Sequence, residues 1–205
     1  MLPWTLKFLW SPFLEMFKTK KFFVVFTQIA SGVGFGLVAL SLQLPHFFAC
    51  SIALLAVIAF SGATHDIATD GVYMTELSKS DQAKYIGWQG AFYNIAKIVA
   101  SGGLVYLAGW LVKRFGGVEG ASGEVVYEAN VHAWMIVMFV MAIVMISLGL
   151  YHTRMLPSGG AATSEATSFK ETFDKLVEVI LDFFKKKHIW YYICLLYTSP
   201  SPRDA

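Results

Sequence analysis

The sequence predicts an all-α fold, a polytopic bundle of membrane-crossing helices, and three observations carry that prediction. Of 205 residues, 56% are hydrophobic and only 15% are charged, against about 25% charged in an ordinary soluble domain. Four apolar runs reach the roughly 20 residues that a helix needs to cross a bilayer core. Basic residues crowd the loops on one side of those runs and are nearly missing from the other. The net charge of +2 is too small to imply nucleic acid as a partner. The implied partner is the lipid bilayer itself.

The first span runs from Phe22 to about Leu44 without a charge. The second, from about Phe47 to Thr75, carries His65, Asp66 and Asp70. The third, from Tyr85 to Val112, carries only Lys97. The fourth runs from Val131 to Tyr151, with His132 at its edge. A shorter run, "IWYYICLLY" at 189–197, begins like another helix and stops. Small residues in the first span (Gly32, Gly34, Gly36) and the third (Ser101, Gly102, Gly103) read as sites of close helix packing, which in lipid depends on backbone approach. Cys50 and Cys194 have no metal-like spacing, and Cys50 reads as a packing residue. No metal or cofactor is expected. The first residues, "MLPWTLKFLW", lack the small-residue cleavage site of a signal peptide.

Orientation follows from the basic residues in alternate loops. One side holds Lys7, Lys18, Lys20, Lys21, Lys79, Lys84, Arg154 and the lysines up to Lys187; the other holds only Lys113 and Arg114, with Glu119, Glu124 and Glu128 beside them. The first side is expected to be cytoplasmic. Residues 1–21 then form a cytoplasmic loop after a truncated helix, 22–153 the membrane helices, and 154–188 a long cytoplasmic loop. That loop opens with the linker "PSGGAATSEATS". It continues with "SFKETFDKLVEVILDFFKKK", whose Phe169, Phe173, Leu176, Val177, Ile180, Leu181 and Phe184 share one helical face. Ser168 and Glu171 have capping-box spacing. An amphipathic helix at the membrane surface or on the protein's own cytoplasmic ends is expected. Residues 189–193 start a further helix. The string "CLLYTSPSPRDA" at 194–205 resembles translated sequencing-adapter read-through and is expected to be an artefact.

The most informative stretch is "GATHDIATD" at 62–70, at the end of the apolar run "FFACSIALLAVIAF". An ionisable group near the bilayer centre costs roughly 2.5–3.5 kcal/mol on insertion scales, so it calls for a partner or a task. Asp66 and Asp70 are spaced i, i+4 and share a helix side. At about 1.5 Å per residue, Asp66 lies roughly 15 Å in from Glu76, and Lys97 about 20 Å in from Lys84. Helices joined by a short loop are neighbours, so Lys97 is expected to neutralise Asp66. A buried carboxylate with an exchangeable partner suits a proton carrier; a static ion pair locking two helices is the plainer alternative. Glu76 and Lys79 sit at the cytoplasmic mouth, where charge is cheap.

Two motifs carry a family resemblance. "LPWTLKFLWSPFLEMF" with the lysines that follow resembles the segment between the second and third helices of AmpG-type muropeptide permeases, a family of the major facilitator superfamily. The matching residues are Lys7, Phe8, Leu9, Trp10, Pro12, Glu15, Lys18, Lys20 and Lys21. "ATHDIATDGVYMTEL" resembles the family's fourth-helix signature, with His65 where Gln is usual and Glu15 where the earlier motif usually has Asp. The resemblance covers about residues 2–193. It implies a partial major facilitator fold in a bacterial inner membrane, the four spans being the third to sixth of about twelve. The C-terminal half of the same protein would be missing, and the chain alone would not transport.

What the resemblance implies for function is secondary transport of a muropeptide or related sugar-like small solute with protons. Asp66, Asp70, His65 and Lys97 are the candidate coupling residues. Trp10, Pro12, Glu15, Lys18, Lys20 and Lys21 would form the cytoplasmic gating loop. An enzyme is not expected. One alternative is an intramembrane prenyltransferase-like enzyme holding Mg²⁺ through Asp66 and Asp70, although no other span supplies the facing acids such a site needs. The metalloprotease pattern H-E-x-x-H is missing too. A structural membrane subunit is a third reading, which explains the glycines but not the buried acids.

Overall fold

The computed structural model describes residues 2–7, 10, 11, 14 and 18–160, and beyond them 174, 177, 178, 181, 182, 184–191 and 194. Pro12 and Glu15, the Ser168/Glu171 capping box, and Phe169, Phe173, Leu176 and Ile180 lie outside the described residues. Among the described residues the chain is helical and has no strand. Four helices are long and apolar enough to span a membrane: Lys20–Ser41, Phe47–Glu76, Lys79–Arg114 and Gly123–Met155. The chain is thus a multi-pass membrane protein by the length and composition of its helices.

The elements are α1 (Leu2–Leu6), α2 (Lys20–Ser41), α3 (Phe47–Glu76), α4 (Lys79–Ile98), a π-helical turn (Val99–Gly103), α5 (Leu104–Arg114) and α6 (Gly123–Met155). Helices α4 and α5 with the turn between them make the third span. The spans extend past the apolar runs that announce them, because polar caps set helix ends while hydropathy marks only the lipid-facing middle. Thr19 caps α2 by accepting from the Phe22 amide at 3.3 Å. Ser78 caps α4, accepting from the Asp81 amide at 3.2 Å and donating to the Asp81 carboxylate at 2.6 Å. Ser122 caps α6, so that helix begins eight residues before Val131. Between α3 and α4 only Leu77 and Ser78 intervene. Tyr73 ties that turn by donating to the Gln82 carbonyl at 2.7 Å, and the Gln82 amide donates to the Leu77 carbonyl at 2.9 Å.

Helix α2 is the hub, packed on α3 along one side and on α6 along another. Its glycines divide between those neighbours. A Cβ on Gly32 would lie 2.6 Å from Ile146 and 3.0 Å from the Ala142 carbonyl of α6. One on Gly34 would lie 2.7 Å from Ile58 of α3. Gly36 faces open space, so the packing expectation holds for two of the three. Apolar contacts complete the joints. Val24, Ala68 and Val72 form one cluster with Phe23 and Leu156 against it, and Ala108, Leu111, Ala133 and Val137 join α5 to α6.

The third span departs from expectation. Residues of α4 and the π turn are unburied. Ser101, Gly102 and Gly103 therefore do not mediate packing with any described helix. They occupy the turn where the backbone widens to i→i+5 bonding, a geometry that recurs at functional sites.

Residues 163–205 form a separate compact unit. Its described residues include helical positions at 174, 177, 178, 181, 182, 184, 185 and 189–191. Val177, Leu181 and Phe184 are exposed at the i, i+4, i+7 spacing of the expected amphipathic face.

Candidate functional site

The charged residues of α3 point in two directions. Asp66 faces α1, where its Oδ2 accepts from Lys7 Nζ at 3.2 Å. The α1 segment lies along the middle of α3: the Trp4 ring sits 3.5 Å from where a Gly62 Cβ would be, and the Trp10 ring is 5.8 Å from that of Phe60. Lys7 thereby reaches a carboxylate ten residues inside the α3 C-terminus, about 15 Å in. The two side chains keep 40% and 47% of their exposure. The pair is therefore closed on the helix side and open on the other. Asp70 is half-buried one turn further on, with no hydrogen bond or ion pair among the described residues.

His65, adjacent in sequence, turns about 100° away toward α2. Its Nδ1 lies 3.1 Å from Thr27 Oγ1. Thr27 donates to the Phe23 carbonyl at 2.7 Å, and Thr69 Oγ1 lies 3.4 Å from the other ring nitrogen, Nε2. Ser61, one turn earlier on α3, donates to the Thr27 carbonyl at 3.0 Å, and Ser31 donates to Ser61 at 3.0 Å. On the other side of α2, Gln28 Oε1 accepts from His152 Nδ1 at 2.9 Å, joining α2 to α6. Thr27, Gln28 and Ser31 are all buried. Polar bonds thus cross both faces of α2 where apolar contact alone gives little association in lipid.

Lys97 does not neutralise Asp66. It stands on the unburied α4, its ammonium 5.5 Å from the Tyr93 ring centre. The two-residue turn fixes where α4 starts, but α4 does not pack along α3, so proximity in sequence does not bring these side chains together. Of the expected gating loop, Lys18 lies 6.0 Å from the Phe22 ring centre and has a left-handed backbone, φ 58°. The Lys20 stem runs over Gly71, and the Lys21 amide donates to the Ser158 carbonyl at 3.2 Å. Trp10 keeps a buried indole N–H without a partner among the described residues.

Lys7, Thr27, Gln28, Ser61 and His152 escaped the sequence reading as site residues. The signals available were the cluster of Thr27, Gln28 and Ser31 within an apolar span and the place of Lys7 in the first motif. No group of three or more His, Cys, Asp or Glu side chains able to hold a metal occurs among the described residues. The Mg²⁺ alternative therefore gains no further ligand beside Asp66 and Asp70. Compared with protein-family models, with curated proteins and with solved structures, the chain matches none of them.

Proposed function

We propose that the chain is part of a proton-coupled secondary transporter of the major facilitator type, similar to AmpG-type muropeptide permeases, in a bacterial inner membrane. The observation that carries this reading is the Lys7–Asp66 pair, 3.2 Å apart against an apolar span and open on one side. A carboxylate held against an ammonium in that position is a charge pair that a movement of α1 against α3 would part and re-form. Rocking of α1 against α3 would thus cover and uncover a carboxylate as the two helices move, the kind of linked charge movement a proton-coupled symporter requires. The two motifs at 2–21 and 63–77 support the family, and the substrate class follows from that likeness alone.

The test is uptake of a radiolabelled disaccharide–peptide of the cell wall into membrane vesicles carrying the chain within its uninterrupted reading frame. Uptake driven by an imposed proton gradient and abolished by a protonophore is expected. Uptake no greater than in vesicles lacking the protein contradicts the proposal. Orientation has its own check, in a background with Cys50→Ser and Cys194→Ser. A membrane-impermeant maleimide applied to intact spheroplasts is expected to label Glu119→Cys, and Ser80→Cys only after permeabilisation. The reverse pattern would invert the topology.

A further inference from the structure

Leu156, the residue after α6, packs against the Val24, Ala68 and Val72 cluster. The backbone that follows, Pro157–Gly160, lies across the adjoining ends of α2 and α3. The Ser158 carbonyl accepts from the Lys21 amide at 3.2 Å, one of the α2 donors that has no partner within its own helix. The Gly159 amide donates to Glu76 Oε1 at 2.8 Å. Gly159 is buried, with φ +70°, and a Cβ there would lie 2.8 Å from Val72 and 2.9 Å from Lys20. Only glycine fits that position, for its backbone angle and for its room.

Glu76 is otherwise badly placed. An acidic side chain in the last turn of a helix faces the negative end of the helix dipole. Its charge is offset here by an amide from a different segment, so its position makes sense as a receptor for that segment. Helices α2 and α3 each make one hydrogen bond to these four residues, and α6 runs into them through Leu156.

We propose that Pro157–Gly160 is a latch, with Glu76 as its catch, that holds the ends of α2 and α3 together and releases them when it lifts. The latch works whatever solute the chain handles. A release of the Gly159–Glu76 bond frees the strap to swing about Leu156, exposing Val72 and freeing the Lys21 amide together. The Gly159–Glu76 bond is the strap's one described hydrogen bond to a side chain, and the Lys21–Ser158 bond beside it joins backbone to backbone.

The experiment is hydrogen exchange read by mass spectrometry on the whole chain in lipid nanodiscs. In the wild type the Gly159 and Lys21 amides are expected to be protected. Glu76→Ala is expected to speed exchange at both by about tenfold or more, as local opening replaces a held state. Glu76→Gln, whose amide oxygen still accepts, is expected to keep most of the protection. A second readout is the reaction of Val72→Cys with a water-soluble maleimide, in the background with Cys50→Ser and Cys194→Ser. It is expected to be slow with Glu76 present and about tenfold faster with Glu76→Ala, for the same reason. Fast exchange at Gly159 in the wild type overturns the latch. So does Glu76→Ala leaving both Lys21 exchange and Val72→Cys labelling unchanged.

Discussion

Asp66→Leu is expected to destabilise the membrane-embedded chain by up to roughly 2.5–3.5 kcal/mol, the cost of an ionised lysine that loses its partner near the bilayer centre. The loss comes less from the missing carboxylate than from Lys7, which is left with Asp70, one turn along α3, as the next carboxylate. Asp66→Asn, which still accepts a hydrogen bond, should cost less. Adding Lys7→Met to Asp66→Leu should recover most of the loss, because removing both charges removes the penalty along with the attraction. A double-mutant cycle on unfolding in detergent checks this, and an additive cycle would show that the two residues do not interact.

The second large effect is expected from Gly32→Leu. Its Cβ alone would stand 2.6 Å from Ile146 Cγ1, 3.0 Å from the Ala142 carbonyl and 3.2 Å from the Ile146 amide nitrogen. A side-chain tip can turn aside, but the backbone of α6 cannot. Helices α2 and α6 must therefore part, at a cost of about 1–3 kcal/mol typical of overpacking. The parting also strains the Gln28–His152 bond one turn away. Gly36→Leu is the control, since nothing lies within 4 Å of its Cβ position and the loss of a helical glycine favours the helix. Thermal unfolding in a mild detergent should show a lowered midpoint for Gly32→Leu and an unchanged or raised one for Gly36→Leu.

The four spans were legible because lipid leaves no other place for long apolar runs. Their ends were less so, since Ser78 and Ser122 cap helices in polar sequence that hydropathy does not score. "GATHDIATD" marks a stretch of α3 that carries polar bonds to both α1 and α2. It could not say that His65 and Asp66 serve different neighbours, because the pattern gives the angle between them and not what stands on each side. Lys7 and Asp66 are separated by 59 positions, and only the docking of α1 on α3 brings them together. Lys97 shows the opposite failure, where nearness along the chain suggested a pair that the packing does not make. Glu76, placed where charge is cheap, proved to have a specific partner in Gly159.

The proposed function rests on the Lys7–Asp66 pair coupling proton movement to transport as well as holding α1 on α3. The double variant Lys7→Met with Asp66→Leu separates the two roles. It is expected to insert and to unfold nearly as the wild type does, so its uptake of the labelled disaccharide–peptide can be measured on folded protein. The account predicts that an imposed proton gradient no longer drives that uptake. Gradient-driven uptake at the wild-type rate would contradict it and leave the pair as a structural lock alone.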